Sequence, residues 1–509
     1  MKDAAEPLPA RRLARNFTWL GLQELVIRLI GLATAIYLAR VLDPANYGAL
    51  GLALAVVSFA AVFVQAGTGS RATRMTARDP EAVPTIFADI NSLRITMALV
   101  MIGLLIVFAP RLGRLFQVQP LLIILCSFLL LRPALTVVWA FRGLDRMKIP
   151  AVADMAEKIL IFFGLLLLVH GNGNDVLWAP VVELLALLVI AAVLFHLLTR
   201  LYGPLRLRFG LNAWSEISRE AVPLSLAAML GSVYMNGGVL LLGWLADTES
   251  AALFLVAQKV MLTLMTLLHI SSTAAFPSIS RGLQHSKQEA LNLAARILRY
   301  FLVVMTPLFL LVVFHASFLI DLLFGSEYRG SAAALVVLLT AIPFLAAAGG
   351  ARMLLRAIPK PLSILGARLA GATVLLAVSF WLIPEHGTVG AAAALAAGEF
   401  TSSVLMLAVI RRATGGLPWC NRCLAPLLAG LASAIAYIAL DPWSLLTRLL
   451  IAAVTYGVLI FLMKGITTTE LRSMLGLFMP AVMPDDPDVS AANKPRKKPD
   501  RQQENKQKP

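Results

Sequence analysis

Charge is what this chain has least of. Only 14% of its 509 residues are Asp, Glu, Lys or Arg, against 59% hydrophobic residues and a mean hydropathy of +0.81. A soluble protein of this size carries roughly a quarter charged residues, so the composition belongs to the membrane class. Cysteine is scarce too. Cys126, Cys420 and Cys423 cannot make a disulfide framework, and Cys420-Asn-Arg-Cys423 lacks the second pair that a zinc site of this type needs. No Walker motif, nucleotide fingerprint or metal-ligand cluster occurs, so no cofactor, no metal and no direct use of ATP are expected. Long polar loops are missing as well. The longest connection on the expected outer side, about Pro110 to Pro120, is too short for a catalytic loop, so the chain is not expected to be an enzyme.

What the chain has in abundance is long apolar runs. Fourteen are long enough to cross a bilayer as helices: 17–41, 47–67, 92–109, 121–140, 153–170, 176–198, 221–245, 251–276, 297–318, 332–350, 362–383, 388–410, 424–440 and 445–463. The expected fold is therefore an all-α polytopic membrane protein. The formal net charge of +16 could suggest nucleic acid, which would need a basic patch on a soluble face. Here the positives sit in short alternate loops. One side collects Arg11, Arg12 and Arg15; Arg71, Arg74, Arg78 and Arg94; Arg142, Arg146, Lys148 and Lys158; and the basic groups that follow each later pair of runs, including Arg352, Arg356, Lys360 and Arg368. The other side holds Arg40, Arg111, Arg114, Arg329 and Arg448. Positive loops stay cytoplasmic, which puts both termini inside and makes no nucleic-acid partner necessary.

The chain repeats itself at a spacing of about two hundred residues. Arg142 to Pro150 resembles Arg352 to Pro359; Pro133 matches Pro343; Leu115-Phe116 matches Leu323-Phe324; Asp43 matches Asp247. Six helices per copy give both copies the same orientation, so two lobes are expected about a pseudo-two-fold axis along the membrane normal. The expected domains are an N-terminal lobe (1–198), a basic amphipathic linker on the inner surface (199–220), a C-terminal lobe (221–410), two extra helices (411–465) and a cytoplasmic tail (466–509). The tail is Pro-, Lys- and Gln-rich and is expected to be disordered from about 485.

Several phrases resemble a known family. Ala39-Arg-Val-Leu-Asp-Pro-Ala-Asn-Tyr-Gly48 is similar to the phrase closing the first helix of polysaccharide-type (O-antigen/exopolysaccharide) flippases of the multidrug/oligosaccharidyl-lipid/polysaccharide exporter superfamily. Arg142-Gly-Leu-Asp-Arg146 resembles that family's loop after helix four, and Ala251 to Arg281 its helix eight. Leu319-Ile-Asp-Leu-Leu-Phe-Gly-Ser-Glu-Tyr328 resembles its phrase after helix nine and is the most specific match. The resemblance covers roughly residues 12 to 465. It implies two six-helix lobes and export of polyprenyl-pyrophosphate-linked oligosaccharide across the inner membrane by alternating access. The product would serve lipopolysaccharide, capsule or exopolysaccharide assembly, with a polysaccharide polymerase and other assembly proteins as potential partners. One departure stands out: where the family has Tyr-x-Arg-x-Asp in helix seven, this chain has Tyr234-Met-Asn236-Gly237-Gly238. A drug or cation antiporter of the same superfamily would want a more acidic cavity and would lack the last two helices. A membrane glycan polymerase or ligase would need the outer catalytic loop that is absent.

Six charged residues inside the runs are the candidate site. Arg28, Arg132 and Lys259 are cations, each costing roughly 2.5–3.5 kcal/mol at the bilayer centre. A pyrophosphate substrate of the kind implied by the resemblance would use them; the plainer alternative is a structural pair or a side chain that reaches the membrane surface. Glu24 stands four residues before Arg28 and can pair with it on one helical face. Glu183 and Glu399, each in the last run of a repeat, are coupling or ion-pair candidates, with a helix-packing hydrogen bond as the alternative. His269 is expected to be a satisfied polar residue rather than a ligand.

Overall fold

The computed structural model describes residues 10–466 except 66, 286, 347–348, 350–360, 418–422 and 442, with side chains from Gln23 onward apart from 211–213, 216, 218–224, 227, 267–287, 290, 361–362 and 414. The tail and the 352–359 copy of the repeat lie outside the described residues, as do Cys420 and the side chain of His269. Every described element is helical, as the runs predict. The first half contains α1 (Ala10–Val41), α2 (Pro44–Gln65), α3 (Thr68–Arg78), α4 (Val83–Phe116), α5 (Pro120–Ser127), α6 (Arg132–Leu135), α7 (Val138–Gly143), α8 (Lys148–Leu168) and α9 (Trp178–Tyr202). Then come α10 (Leu211–Leu245), α11 (Thr248–His285), α12 (Lys287–Phe314), α13 (Ala316–Phe324), α14 (Ser331–Thr340) and α15 (Pro361–Thr414), the last kinked at Gly387. Nine helical stretches among the described residues are long and apolar enough to cross a membrane. One of them, 363–413, holds two of the fourteen runs. The runs 17–41, 153–170, 332–350 and 424–440 fall short of that measure, so the count of fourteen stays an expectation.

Residues up to Cys423 form one compact unit; a second begins at Leu424. The second contains α16 (Leu424–Ala439) and α17 (Leu445–Leu462). These pack as a hairpin in which the Ser433 hydroxyl donates to the Ala452 carbonyl at 2.7 Å and Arg448 pairs with Asp441 at 2.7 Å.

Residues matched across the repeat do the same local work. Asp43 caps α2 by accepting from the Asn46 amide at 2.8 Å, and Asp247 caps α11 by accepting from the Ser250 amide at 2.6 Å. Phe116 ends α4 and Phe324 ends α13, each followed by a positive-φ residue, Gln117 or Gly325. The fourth crossing breaks around Pro133, where α6 is only four residues long and Thr136 is extended; the tenth breaks at Ala341, two residues before Pro343. A proline removes a helix donor and crowds the preceding turn.

One segment read as a loop turns out otherwise. Thr68, Ala72 and Thr76 are buried at a spacing of four, so 68–78 forms the amphipathic helix α3. The linker after α9 is helical from Leu211, where α10 begins, and is tied to α4: the Arg208 amide donates to the Ala88 carbonyl at 3.1 Å and the Ser92 hydroxyl to the Arg208 carbonyl at 2.6 Å. Tyr202, Leu205 and Trp214 pack there on a core that includes Phe87, Ile90 and Phe141.

The two phrases that carry the family likeness interlock. Arg40 donates to the Leu323 carbonyl at 2.8 Å and also to that of Leu322. The rings of Tyr47 and Tyr328 meet edge-on at 6.1 Å. Beside them α2 runs so close to α11 that a side-chain carbon on Gly48 would stand 1.9 Å from the Thr248 carbonyl oxygen. Small residues let membrane helices approach to this degree.

Candidate functional site

Glu24 and Arg28 form the expected pair across one turn of α1, at 2.9 Å. Their side chains are 31% and 44% exposed, so the pair stands open rather than packed away. Lys259, half-buried on α11, faces the same neighbourhood. The charges acting on its ammonium are Lys158 of α8, Arg28 of α1 and Glu183 of α9. No ion pair between Lys259 and any of them closes among the described residues. Glu183 is half-buried, acts also on Cys126 of α5, and likewise has no ion-pair partner there. The structure thus brings together Arg28, Lys259, Glu24 and Glu183 and adds Lys158.

Arg132 is elsewhere. It pairs with the buried Glu157 of α8 and lines a cleft of about 400 Å³ with Arg94, Arg142 and Asp154. The cleft exists because the fourth crossing is broken. Freed carbonyls in a membrane helix need new donors, and the neighbouring helix supplies them: Arg94 donates to the Pro133 carbonyl at 2.8 Å, and Asn91 to that of Ala134 at 2.7 Å. Arg94 also donates through Nε to the Thr68 hydroxyl at 2.8 Å.

Glu399 is neither free nor near the first group. It pairs with Arg368 across the two arms of α15 at 2.9 Å. The Arg368 guanidinium in turn sits over the Tyr234 ring at 4.4 Å, and the Glu399 side chain is 4% exposed with Oε2 unpartnered. Asn236, in the departure from the family phrase, only donates to the Ser232 hydroxyl one turn earlier, at 3.3 Å. Gly238 lets the Phe254 ring approach to 2.9 Å of where its side chain would begin.

Lys158, Arg368 and Arg94 escaped the sequence. Each was counted among the loop positives that set topology, yet each lies inside a helix. The signal available was helical spacing: Asp154 and Lys158 are four apart and flank Glu157.

Fold and composition together define a multi-pass membrane protein. The chain belongs to the polysaccharide biosynthesis protein family, whose model matches residues 13–283, just over half of it. A candidate O-antigen transporter of Escherichia coli (strain K12) is 23% identical over 412 residues, covering 78% of this chain and 97% of that protein. Among solved structures, the lipid II flippase MurJ in an inward closed conformation is similar with a TM-score of 0.72 at 13% identity, over 90% of this chain and 98% of MurJ. An inward-facing multidrug resistance transporter of the MATE family is similar at 0.59 and 14% identity, over 78% and 98%.

Proposed function

We propose that this protein moves a polyprenyl-pyrophosphate-linked oligosaccharide across the inner membrane, from the cytoplasmic to the outer leaflet, for cell-surface polysaccharide assembly. The observation that carries it is Lys259, a half-buried cation on α11 with no closed ion pair, set among Arg28, Lys158 and Glu183. Unpaired positive charge inside a membrane bundle is costly unless an anionic ligand uses it. A pyrophosphate supplies that anion, and Arg28 offers the planar fork that suits phosphate oxygens. The family membership and the transporter and flippase names of the relatives support the same activity. MurJ is similar over 90% of this chain.

Lipid-linked passage explains why no large binding loop is needed: the head group alone crosses between the halves while the polyprenyl tail stays in the bilayer. With both termini cytoplasmic, the interlock of Arg40, Tyr47, Gly48 and Tyr328 faces outward and keeps the halves shut on that side. Each negative charge carried outward gains about 2.3 kcal/mol per 100 mV of membrane potential. A polymerase and other assembly proteins would take up the flipped product.

Deleting the gene and identifying the accumulated lipid tests this. A lipid-linked glycan should build up on the inner leaflet and surface polysaccharide should fall. Complementation with Lys259→Met should restore membrane protein but not export. A deletion strain with normal surface glycans and no accumulated glycolipid would refute the activity.

A further inference from the structure

The cleft at the broken fourth crossing lies apart from the charge group assigned to substrate. Its wall contains the first turn of α3, with Gly69 and Ser70, and the side chains of Arg94, Arg132, Arg142 and Asp154. Three guanidinium groups thus converge on it. Arg132 pairs with Glu157, and with the one other carboxylate of the lining, Asp154, set against Arg94 and Arg142, the formal charge of the cleft is plus one. The Arg94 residue is 4% exposed. Two of its nitrogens are fixed, Nε on Thr68 and Nη1 on the Pro133 carbonyl. The third, Nη2, lies 3.1 Å from where a side-chain carbon on Gly69 would stand, and no hydrogen bond engages it among the described residues. Gly69 therefore lets the held guanidinium pack against the start of an 11-residue helix whose first-turn amides have no partners within the helix. Helix N-termini with an adjacent arginine bind phosphoryl groups through those amides and the helix dipole.

We propose that this cleft binds one singly charged phosphoryl group, held by Arg94 Nη2, Arg142 and the first-turn amides of α3. The surplus of one positive charge matches a phosphodiester, as in an anionic phospholipid headgroup, or the inorganic phosphate monoanion. Asp154 on the opposite wall disfavours a more highly charged diphosphate. The bound group bridges α3 to the arm between α6 and α8, so its effect is to stabilise the first half of the chain. This site stands whether or not the transport activity proposed above holds.

The test uses the full-length protein purified in neutral detergent, followed by thermal unfolding. Inorganic phosphate should raise the midpoint above a chloride control of matched ionic strength; in nanodiscs, phosphatidylglycerol should raise it above phosphatidylcholine alone. A rise with phosphate identifies free phosphate as sufficient, and a rise only with phosphatidylglycerol identifies the lipid headgroup. Ser70→Asp places a carboxylate at the α3 N-terminus. It should raise the midpoint without ligand and abolish the ligand-dependent increment. Arg142→Gln should weaken apparent binding at least tenfold. Lys259→Gln should leave the increment intact. The proposal is overturned if neither ligand shifts the wild-type midpoint, if the increment survives in both Ser70→Asp and Arg142→Gln, or if it disappears in Lys259→Gln instead.

Discussion

Replacing Arg368 with methionine tests the tie that joins the arms of α15 to α10. The Glu399 side chain is 4% exposed, its Oε1 is held by Arg368 at 2.9 Å and its Oε2 has no partner. Removing the arginine leaves a buried carboxylate uncompensated, which costs about 3–5 kcal/mol. Loss of the guanidinium from its place 4.4 Å over the Tyr234 ring adds about 0.5–1 kcal/mol. Glu399→Gln keeps an acceptor for Arg368, whose side chain is 25% exposed, and should cost only about 1–2 kcal/mol. The double variant Arg368→Met, Glu399→Gln removes both charges and should lie within about 2 kcal/mol of the wild type, because a neutral replacement of a buried pair is far milder than breaking it. The coupling between the two sites should then be at least about 2.5 kcal/mol. Unfolding of the detergent-solubilised protein by sodium dodecyl sulfate, followed by tryptophan fluorescence, measures all four proteins. If the two single losses add to within about 0.5 kcal/mol in the double variant, the pair is not a structural tie.

Arg28→Ala should abolish export while leaving membrane abundance near wild type, Arg28→Lys should restore part of it, and Glu24→Gln should be milder than Arg28→Ala; immunoblots with surface-glycan assays read this. A fall in abundance rescued by Glu24→Gln with Arg28→Gln would make the pair structural instead. Gly48→Ala pushes a methyl group against the Thr248 carbonyl oxygen and should weaken closure of that end, seen as faster labelling of a nearby cysteine in intact cells. Unchanged labelling would show that α2 and α11 yield there at no cost. Arg40→Ala removes two bonds to carbonyls and should shift the same labelling by about tenfold, the equivalent of about 1.5 kcal/mol. Reporter fusions at Arg78, Arg146, Arg208 and Lys287 should report cytoplasm and those at Asn46, Asp175 and Asp247 the outside; a swap of sides after Glu220 would break the two-lobe topology.

Much of the architecture was legible because hydropathy and punctuation are local. Asp43 with Asp247 and Pro133 with Pro343 stood out as matched positions of the repeat, and Glu24 with Arg28 as a pair within one turn. Pairing between helices was not legible. Arg132 finds Glu157 and Arg368 finds Glu399 only after the helices pack, and chain spacing carries no trace of it. Arg94, Lys158 and Arg368 lie near the inner ends of their runs and were counted with the loop positives there. The helix containing Lys158 begins at Lys148, and the one containing Arg94 at Val83, so charges near the predicted ends lie well inside. The amphipathic helix α3 was hidden for a related reason: threonine and alanine, not large apolar residues, form its buried face.

The interlocked phrases also bear on how this scaffold could be recombined. Arg40 engages main-chain carbonyls of Leu322 and Leu323, the Tyr328 hydroxyl donates to the Leu42 carbonyl at 3.5 Å, and Gly48 contributes by having no side chain where the Thr248 backbone passes. Apart from the edge-on contact of Tyr47 with Tyr328, the seam is keyed to backbone geometry rather than to the identity of the opposing side chains. A chimera whose second half comes from a distant relative should therefore still close, provided Arg40 and Gly48 are kept on one side and the tyrosine at 328 on the other. Such hybrids would let the residues that face the cargo be exchanged in blocks without rebuilding the latch, turning specificity into a property that can be transplanted one half at a time.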